Sequence, residues 1–128
     1  MHEAGIASNV LEIAEEEARK RGARSIRLVK MRVGEFSGIV ADSLEFAFDA
    51  LKVETMASQA RLEIEHIPLV AWCSHCQTTR QPESNLVLWC PRCSLPLEVT
   101  SGQELDVEYI EIEDDGVTEE SPAWNESA

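Results

Sequence analysis

Residues 73–76 read Cys-Ser-His-Cys and residues 90–93 read Cys-Pro-Arg-Cys, and these two pairs dominate the fold prediction. Two residues between paired cysteines let both thiolates point at one ion, and two such pairs supply a closed tetrahedral set of sulfurs. The thirteen residues between the pairs are enough for a hairpin that brings them together. The pattern therefore predicts a structural zinc site whose ligands are Cys73, Cys76, Cys90 and Cys93.

The sequence leaves two other roles open for the four cysteines. A redox dithiol or an iron–sulfur cluster also employs paired cysteines. Four thiolates leave no open coordination position, so the zinc interpretation does not include activation of a water molecule. His75 lies between Cys73 and Cys76. It is either a solvated spacer or an alternative ligand that replaces a cysteine.

The cysteine segment interrupts a chain of helices and strands. Residues 70–98 have no helical period and hold all four cysteines and three of the five prolines. Apolar spacing and turn residues on either side predict a helix–strand–helix–strand–module–strand order. We expect a first helix over 4–21 ended by Gly22, a strand over 25–34, a second helix with Asp42 as N-cap, and strands over 60–67 and 104–112. The simplest closure is a layered α/β unit whose last strand returns to the sheet after the module.

The last strand and the residues after it carry two further expectations. Leu105, Val107 and Tyr109 share one face, but the apolar phase flips at Ile110 and Ile112. Such a flip indicates a β-bulge or a strand covered on both faces. Residues 113–128 contain six acidic residues and no Lys or Arg, which predicts a disordered acidic tail.

Composition narrows the function classes. The chain has 128 residues, with 11 Lys plus Arg against 24 Asp plus Glu, which gives a formal net charge of −13. Phosphate neutralisation needs clustered basic residues, so nucleic acid and anionic membranes are not expected partners. The chain start has neither a basic nor an apolar segment, and a cytoplasmic location is expected. We find no nucleophile set and no phosphate-binding glycine loop, so no enzymatic activity is predicted.

The first three residues, Met1-His2-Glu3, offer a second possible metal site. A bulky second residue generally protects the initiator methionine from removal. The terminal amine, the His2 amide nitrogen and the His2 imidazole can then chelate one ion in fused rings. With the Glu3 amide or carboxylate they form a nearly planar N/O set, which suits Ni(II) or Cu(II). On the residues alone, a histidine that binds no metal remains an alternative.

Together these features resemble the HypA/HybF family of nickel metallochaperones for hydrogenase maturation. The resemblance rests on Met1-His2-Glu3, the Glu-rich first helix, Val33-Gly34-Glu35, the segment Leu44 to Phe48 and the two CxxC pairs. It covers about residues 1–112 and leaves out the acidic tail. It is made specific by the combination of the N-terminal tripeptide with the cysteine pairs.

The resemblance implies an α+β fold in which two helices pack on a small three-stranded mixed sheet, with an inserted zinc-ribbon-like module that has four cysteine ligands. It implies a nickel-binding domain at 1–69 completed by a strand at 103–112, a zinc-binding domain at 70–98 and the tail at 113–128. Nickel would be held transiently by Met1, His2 and Glu3, and structural zinc by the four cysteines. Some members place a carboxylate near the start of the second helix. Here the aligned residue is Val40, and the nearest acid is Asp42.

The resemblance also implies partners: a nickel-handling maturation GTPase, the large subunit of [NiFe]-hydrogenase and, in some members, urease maturation proteins. The alternative from another class is a zinc-ribbon adaptor that binds other proteins and has no nickel function. Metal analysis of the purified protein separates these hypotheses, because only the first includes nickel.

Overall fold

The computed structural model describes residues 3–84, 86–114, 117–120 and 124–125. The first part of the chain contains α1 (Glu3–Lys20), β1 (Ser25–Gly34), a 3-10 turn (Glu35–Ser37), α2 (Ala41–Leu51) and β2 (Arg61–Ile67). The cysteine module contributes β3 (Val70–Cys73), β4 (Thr78–Arg80) and β5 (Glu98–Ser101). The remaining strands are β6 (Leu105–Asp114), β7 (Val117–Glu120) and β8 (Trp124–Asn125). Neither helix is long and apolar enough to cross a membrane within these ranges.

The main sheet has the order β2-β1-β6-β7, and β8 also pairs with β6. Strands β1 and β2 are parallel, whereas β1 and β6 are antiparallel. Parallel neighbouring strands need a long crossover connection, and α2 lies within the one that joins β1 to β2. The predicted α+β class, with two helices on a mixed sheet of β2, β1 and β6, is confirmed. A second sheet of order β4-β3-β5 forms the inserted module.

The region predicted to be a disordered tail differs from that expectation. Glu113 and Asp114 continue β6, and β7 pairs with the same strand in antiparallel register. Strand β8 pairs with it further back, opposite Asp106 and Val107. Residues 115–116, 121–123 and 126–128 lie outside the described residues. The physical reason for the difference is that β6 has an edge not covered by β1, and this edge can accept further strands.

The core lies between the two helices and one face of the main sheet. Fully buried side chains come from every layer: Val10 on α1, Met31 on β1, Phe48 on α2 and Ile110 on β6. Apolar residues recur at helical spacing along α1, so that the helix buries one stripe and leaves its acidic face in water. Burial of apolar surface is therefore the main source of stability in this unit.

The switch of the apolar residues from one face of β6 to the other arises from a β-bulge. Lys30 pairs with Tyr109 but Met31 pairs with Val107, so β6 has one extra residue at this point. The extra residue turns the strand over, and both Val107 and Ile110 end up in the core. The bulge predicted from the sequence is confirmed.

The helix ends show one confirmed prediction and one wrong one. Gly22 has a φ of 69° and ends α1 in the left-handed conformation, as expected. The second helix begins earlier than predicted, because its N-cap is Val40 and no side chain caps it from that position. Asp42 is therefore an exposed residue of the first turn and not the N-cap.

The module leaves and rejoins the main sheet at adjacent points. Backbone Gly34 N–H donates to Glu104 O at 2.6 Å, and Leu69 N–H donates to Glu35 Oε1 at 2.8 Å. Gly102 has a φ of 103°, and a Cβ there would lie 2.7 Å from Leu69 Cα. Only glycine fits such a crossing, which fixes where the module joins the α/β unit.

Candidate metal centres

Both CxxC pairs fold into the same short turn. Gln77 N–H donates to Cys73 O at 2.8 Å, and Ser94 N–H donates to Cys90 O at 2.9 Å. Gln77 and Ser94 are the described non-glycine residues with positive φ, at 55° and 65°. A left-handed residue directly after each pair reverses the chain, so both sulfurs of the pair remain on the inner side of the turn.

The two turns bring all four sulfurs together. The four Sγ atoms lie within 4.8 Å of one another, and Cys73 and Cys90 are buried. Cys73 Sγ is 3.6 Å from Cys93 Sγ, and Cys76 Sγ is 3.9 Å from Cys90 Sγ. These separations are too long for disulfides, and all four cysteines are free. A zinc–sulfur bond of about 2.3 Å in a tetrahedron requires sulfurs about 3.8 Å apart, and the cluster fits that size.

The thiols of the cluster differ in proton affinity. Burial opposes ionisation of Cys90, but backbone N–H groups of Cys93 and Arg92, with the Arg80 guanidinium, lower its pKa to about 6. The Leu95 backbone N–H favours the Cys93 thiolate. Burial and hydrogen bonds from the neighbouring cysteines oppose this effect and raise the pKa of Cys93 to about 12. Cys90 and Cys93 thus differ in how readily they ionise.

His75 does not belong to the cluster. Its side chain is exposed, and the four-sulfur group is complete without an imidazole. Of the two interpretations left open by the sequence, the structure favours the solvated spacer. His66 is exposed as well.

The predicted nickel ligands Met1 and His2 lie outside the described residues, whereas Glu3 is the first residue of α1. Its Oε2 accepts a hydrogen bond of 3.1 Å from the backbone N–H of Val40. That donor is at the start of α2, where the helix dipole favours a carboxylate. Glu3 thus attaches the chain start to the second helix. Sequence reasoning missed this contact because it joins residues 37 positions apart.

An open groove of about 410 Å³ lies beside this attachment. It is bordered by Glu3 and Ala4 on one helix, and on the other by apolar side chains that include Phe46 and Leu51. Phe46 is 77% exposed. Asp42, in the first turn of α2, belongs to no group of three or more metal-binding side chains within the described ranges. The structure therefore brings four of the seven predicted ligands together, and these are the cysteines.

Sequence comparison identifies the family. A model described as "Hydrogenase/urease nickel incorporation, metallochaperone, hypA" matches residues 1–112. This chain belongs to the HypA family. The family is described as metallochaperones for nickel incorporation into hydrogenase and urease, so the resemblance found in the sequence is confirmed.

Relatives and solved structures of HypA proteins agree with this assignment. The chain is 40% identical over 116 residues to "Hydrogenase maturation factor HypA" from Roseiflexus sp. (strain RS-1), covering 90% of this chain and 94% of the relative. It is 37% identical to the protein of that name from Albidiferax ferrireducens, covering 88% and 100% of the two chains. A solution structure of the Ni metallochaperone HypA from Helicobacter pylori matches with a TM-score of 0.63 and 25% identity, covering 90% of this chain and 100% of that one.

Proposed function

We propose that this chain binds Ni(II) at its N-terminus and delivers it for maturation of [NiFe]-hydrogenase. The observation that carries the proposal is the family match, which begins at residue 1 and so includes Met1-His2-Glu3. The proposed donors are the Met1 amine, the His2 amide nitrogen and imidazole, and an amide or carboxylate group of Glu3. Nitrogen donors in fused rings suit the square-planar preference of Ni(II).

Support for this location comes from the contact between Glu3 and Val40. A terminal chelate on a freely moving chain end would pay the full entropy of ordering when it binds metal. Because the Glu3 carboxylate bonds to the start of α2, this proposed ligand residue is held at a fixed helix end. Glu3 is partly exposed, and release of nickel to a partner needs such access.

The four cysteines are proposed to hold Zn(II) as a structural ion. The sulfur separations of 3.6 and 3.9 Å fit a tetrathiolate site with no open position. The module has few buried apolar residues, and a bound ion would supply the folding energy that its small core does not. We propose no catalytic role for this ion.

The proposed partners are a nickel-handling maturation GTPase and the large subunit of a hydrogenase, with urease maturation proteins as further recipients. Nickel incorporation into hydrogenase and urease is the activity printed for the family. The net charge of −13 favours basic protein surfaces over nucleic acid or anionic lipid. The cytoplasm is the proposed compartment, because reduced cysteines persist there.

The nickel site is tested by titrating Ni(II) into zinc-loaded protein. In His2→Ala, and in a variant with one extra residue before Met1, we expect the affinity to fall by about tenfold or more, since each loses a donor of the chelate. His66→Ala and His75→Ala are matched controls, because each removes an exposed imidazole elsewhere in the chain. Both controls should bind nickel like the parent.

Unchanged nickel affinity in both N-terminal variants would refute the proposed site. The zinc-ribbon adaptor remains the rival function, and it predicts purified protein that contains zinc but takes up no nickel at all. Nickel ligated by sulfur in an X-ray absorption spectrum would also contradict the proposal, because every proposed donor is a nitrogen or oxygen atom.

A further inference from the structure

With zinc bound as proposed, the cysteine cluster would carry an excess of negative charge. Four thiolates around one divalent cation leave a net charge of −2, and desolvating that charge is costly unless cations or hydrogen-bond donors lie close by. Residues 70–98 contain two arginines, Arg80 and Arg92, and no lysine. These two guanidinium groups are therefore the positive side chains that the module itself can offer.

Arg80 lies where it can reach the sulfurs. It is the last residue of β4 and pairs with Ala71, two residues before Cys73 on the neighbouring strand. Its guanidinium interacts with the thiols of Cys76 and Cys90, whose Sγ atoms are 3.9 Å apart. A guanidinium is always protonated in proteins, so this side chain brings a positive charge to the cluster.

One donor of the same side chain is left over. Arg80 Nε is buried and finds no hydrogen-bond acceptor within the described residues. Buried donors are almost always paired, so an orphaned one needs an explanation. Thiolate sulfur has more lone-pair density than a thiol, and ionised Cys76 or Cys90, which the same guanidinium contacts, is the nearest chemistry that could accept from it. The orphaned donor thus fits the charged, metal-holding form of the cluster.

We propose that Arg80 is a positioning residue of the zinc site, whose guanidinium holds the thiolates of Cys76 and Cys90 by charge-assisted N–H···S hydrogen bonds. The proposal rests on the zinc site proposed above. Groups that hydrogen-bond to metal ligands fix ligand orientation and commonly change metal affinity by about 10- to 100-fold. Arg80 would therefore retain the ion and reduce electron donation from the two sulfurs.

The experiment compares Arg80→Met, Arg80→Lys and Arg92→Met in the full-length protein. Methionine keeps an unbranched stem but removes every donor, whereas lysine keeps the charge. Zinc transfer to a colorimetric chelator measures retention. The thiolate-to-metal charge-transfer band of the Co(II)-substituted protein reports sulfur donation directly, and a purely structural role would not move it.

In Arg80→Met we expect zinc affinity to fall by about tenfold or more and the cobalt band to shift to longer wavelength. Arg80→Lys should recover part of both effects. Arg92→Met removes the same charge from an exposed position but leaves the backbone N–H intact, and we expect a change below about threefold.

Equal retention and an unmoved band in Arg80→Met would overturn the proposal, as would equal effects of the two methionine variants. If Arg80→Met does not fold, Arg80→Lys decides, since zinc retention and a cobalt band both equal to those of the parent would contradict the need for a guanidinium fork that bonds two sulfurs. Failure of the zinc proposal itself is distinguishable, because the parent protein would then contain no zinc.

Discussion

The α/β unit and the cysteine module fold on different physical grounds. Buried apolar side chains of the helices and of β1 and β6 make up the core of the first. Among the described residues between 70 and 98, the buried ones are Ala71, Cys73, Pro82 and Cys90. The module instead exposes large apolar groups, with Leu86 at 89% and Trp89 at 55%. The comparison teaches that apolar burial stabilises one region, and that the other, which buries little, would depend on the metal ion proposed for its four sulfurs.

Removal of the metal gives the largest expected difference between the two regions. With zinc chelated, or in Cys90→Ser, we expect strands β3–β5 to unfold, since structural zinc contributes on the order of 10 kcal/mol to such modules. The α/β unit should remain folded. Amide hydrogen exchange measures both regions in one sample. Protection of β3–β5 that survives complete loss of metal would contradict the distinction drawn here.

A core substitution should produce the opposite pattern. Phe48 is fully buried and Phe46 is 77% exposed, and both lie on α2. We expect Phe48→Ala to lower the free energy of unfolding of the α/β unit by about 3–5 kcal/mol, because it leaves a cavity in the core. Chemical denaturation followed by helix circular dichroism measures this change.

Phe46→Ala is the matched control, since it removes the same side chain from the same helix. It should change the free energy of unfolding by less than about 0.5 kcal/mol. Both variants should retain zinc, and loss of zinc from Phe48→Ala would show that the module depends on the core of its neighbour. Equal destabilisation by the two substitutions would contradict the buried position of Phe48.

Local sequence patterns were sufficient to predict much of this architecture. The limits of β1, the stop at Gly22, the bulge in β6 and the proximity of the cysteines all depend on residues close in sequence or on strict periodicity. Asp42 was wrongly assigned as a cap because the actual partner of the α2 start is Glu3, on another helix. The contact of Arg80 with the cluster also depends on strand pairing, and no spacing rule encodes it.

Long-range pairing explains the tail in the same way. An acidic composition predicts disorder when the segment is considered alone. The described strands β7 and β8 instead pair with the edge of β6 that faces away from β1, and no local pattern encodes that pairing. The prediction of Met1 and His2 as nickel ligands rests instead on donor chemistry and family resemblance, and it stays a proposal.

A partly buried ion pair gives the smallest of the expected effects and measures how much electrostatic interactions stabilise the α/β unit. Arg32 Nε and Nη2 donate to the two carboxylate oxygens of Asp106 at 2.9 and 2.7 Å, which joins β1 to β6. The Asp106 side chain is 7% exposed and that of Arg32 is 36% exposed. In Asp106→Asn we expect a loss of about 1–3 kcal/mol in the free energy of unfolding, since Arg32 keeps its charge but loses a charged partner.

Glu16→Gln is the control for that variant, because it removes an ion pair to Lys20 in which both side chains are about two-thirds exposed. Its effect should stay below about 0.5 kcal/mol. Denaturation at low and high salt separates the two, since salt screens the exposed pair more strongly than the partly buried one. If Asp106→Asn lowered the free energy of unfolding as little as Glu16→Gln, this ion pair would contribute almost nothing to the α/β unit. Apolar burial would then account for its stability, and the two regions would differ still more in what stabilises them.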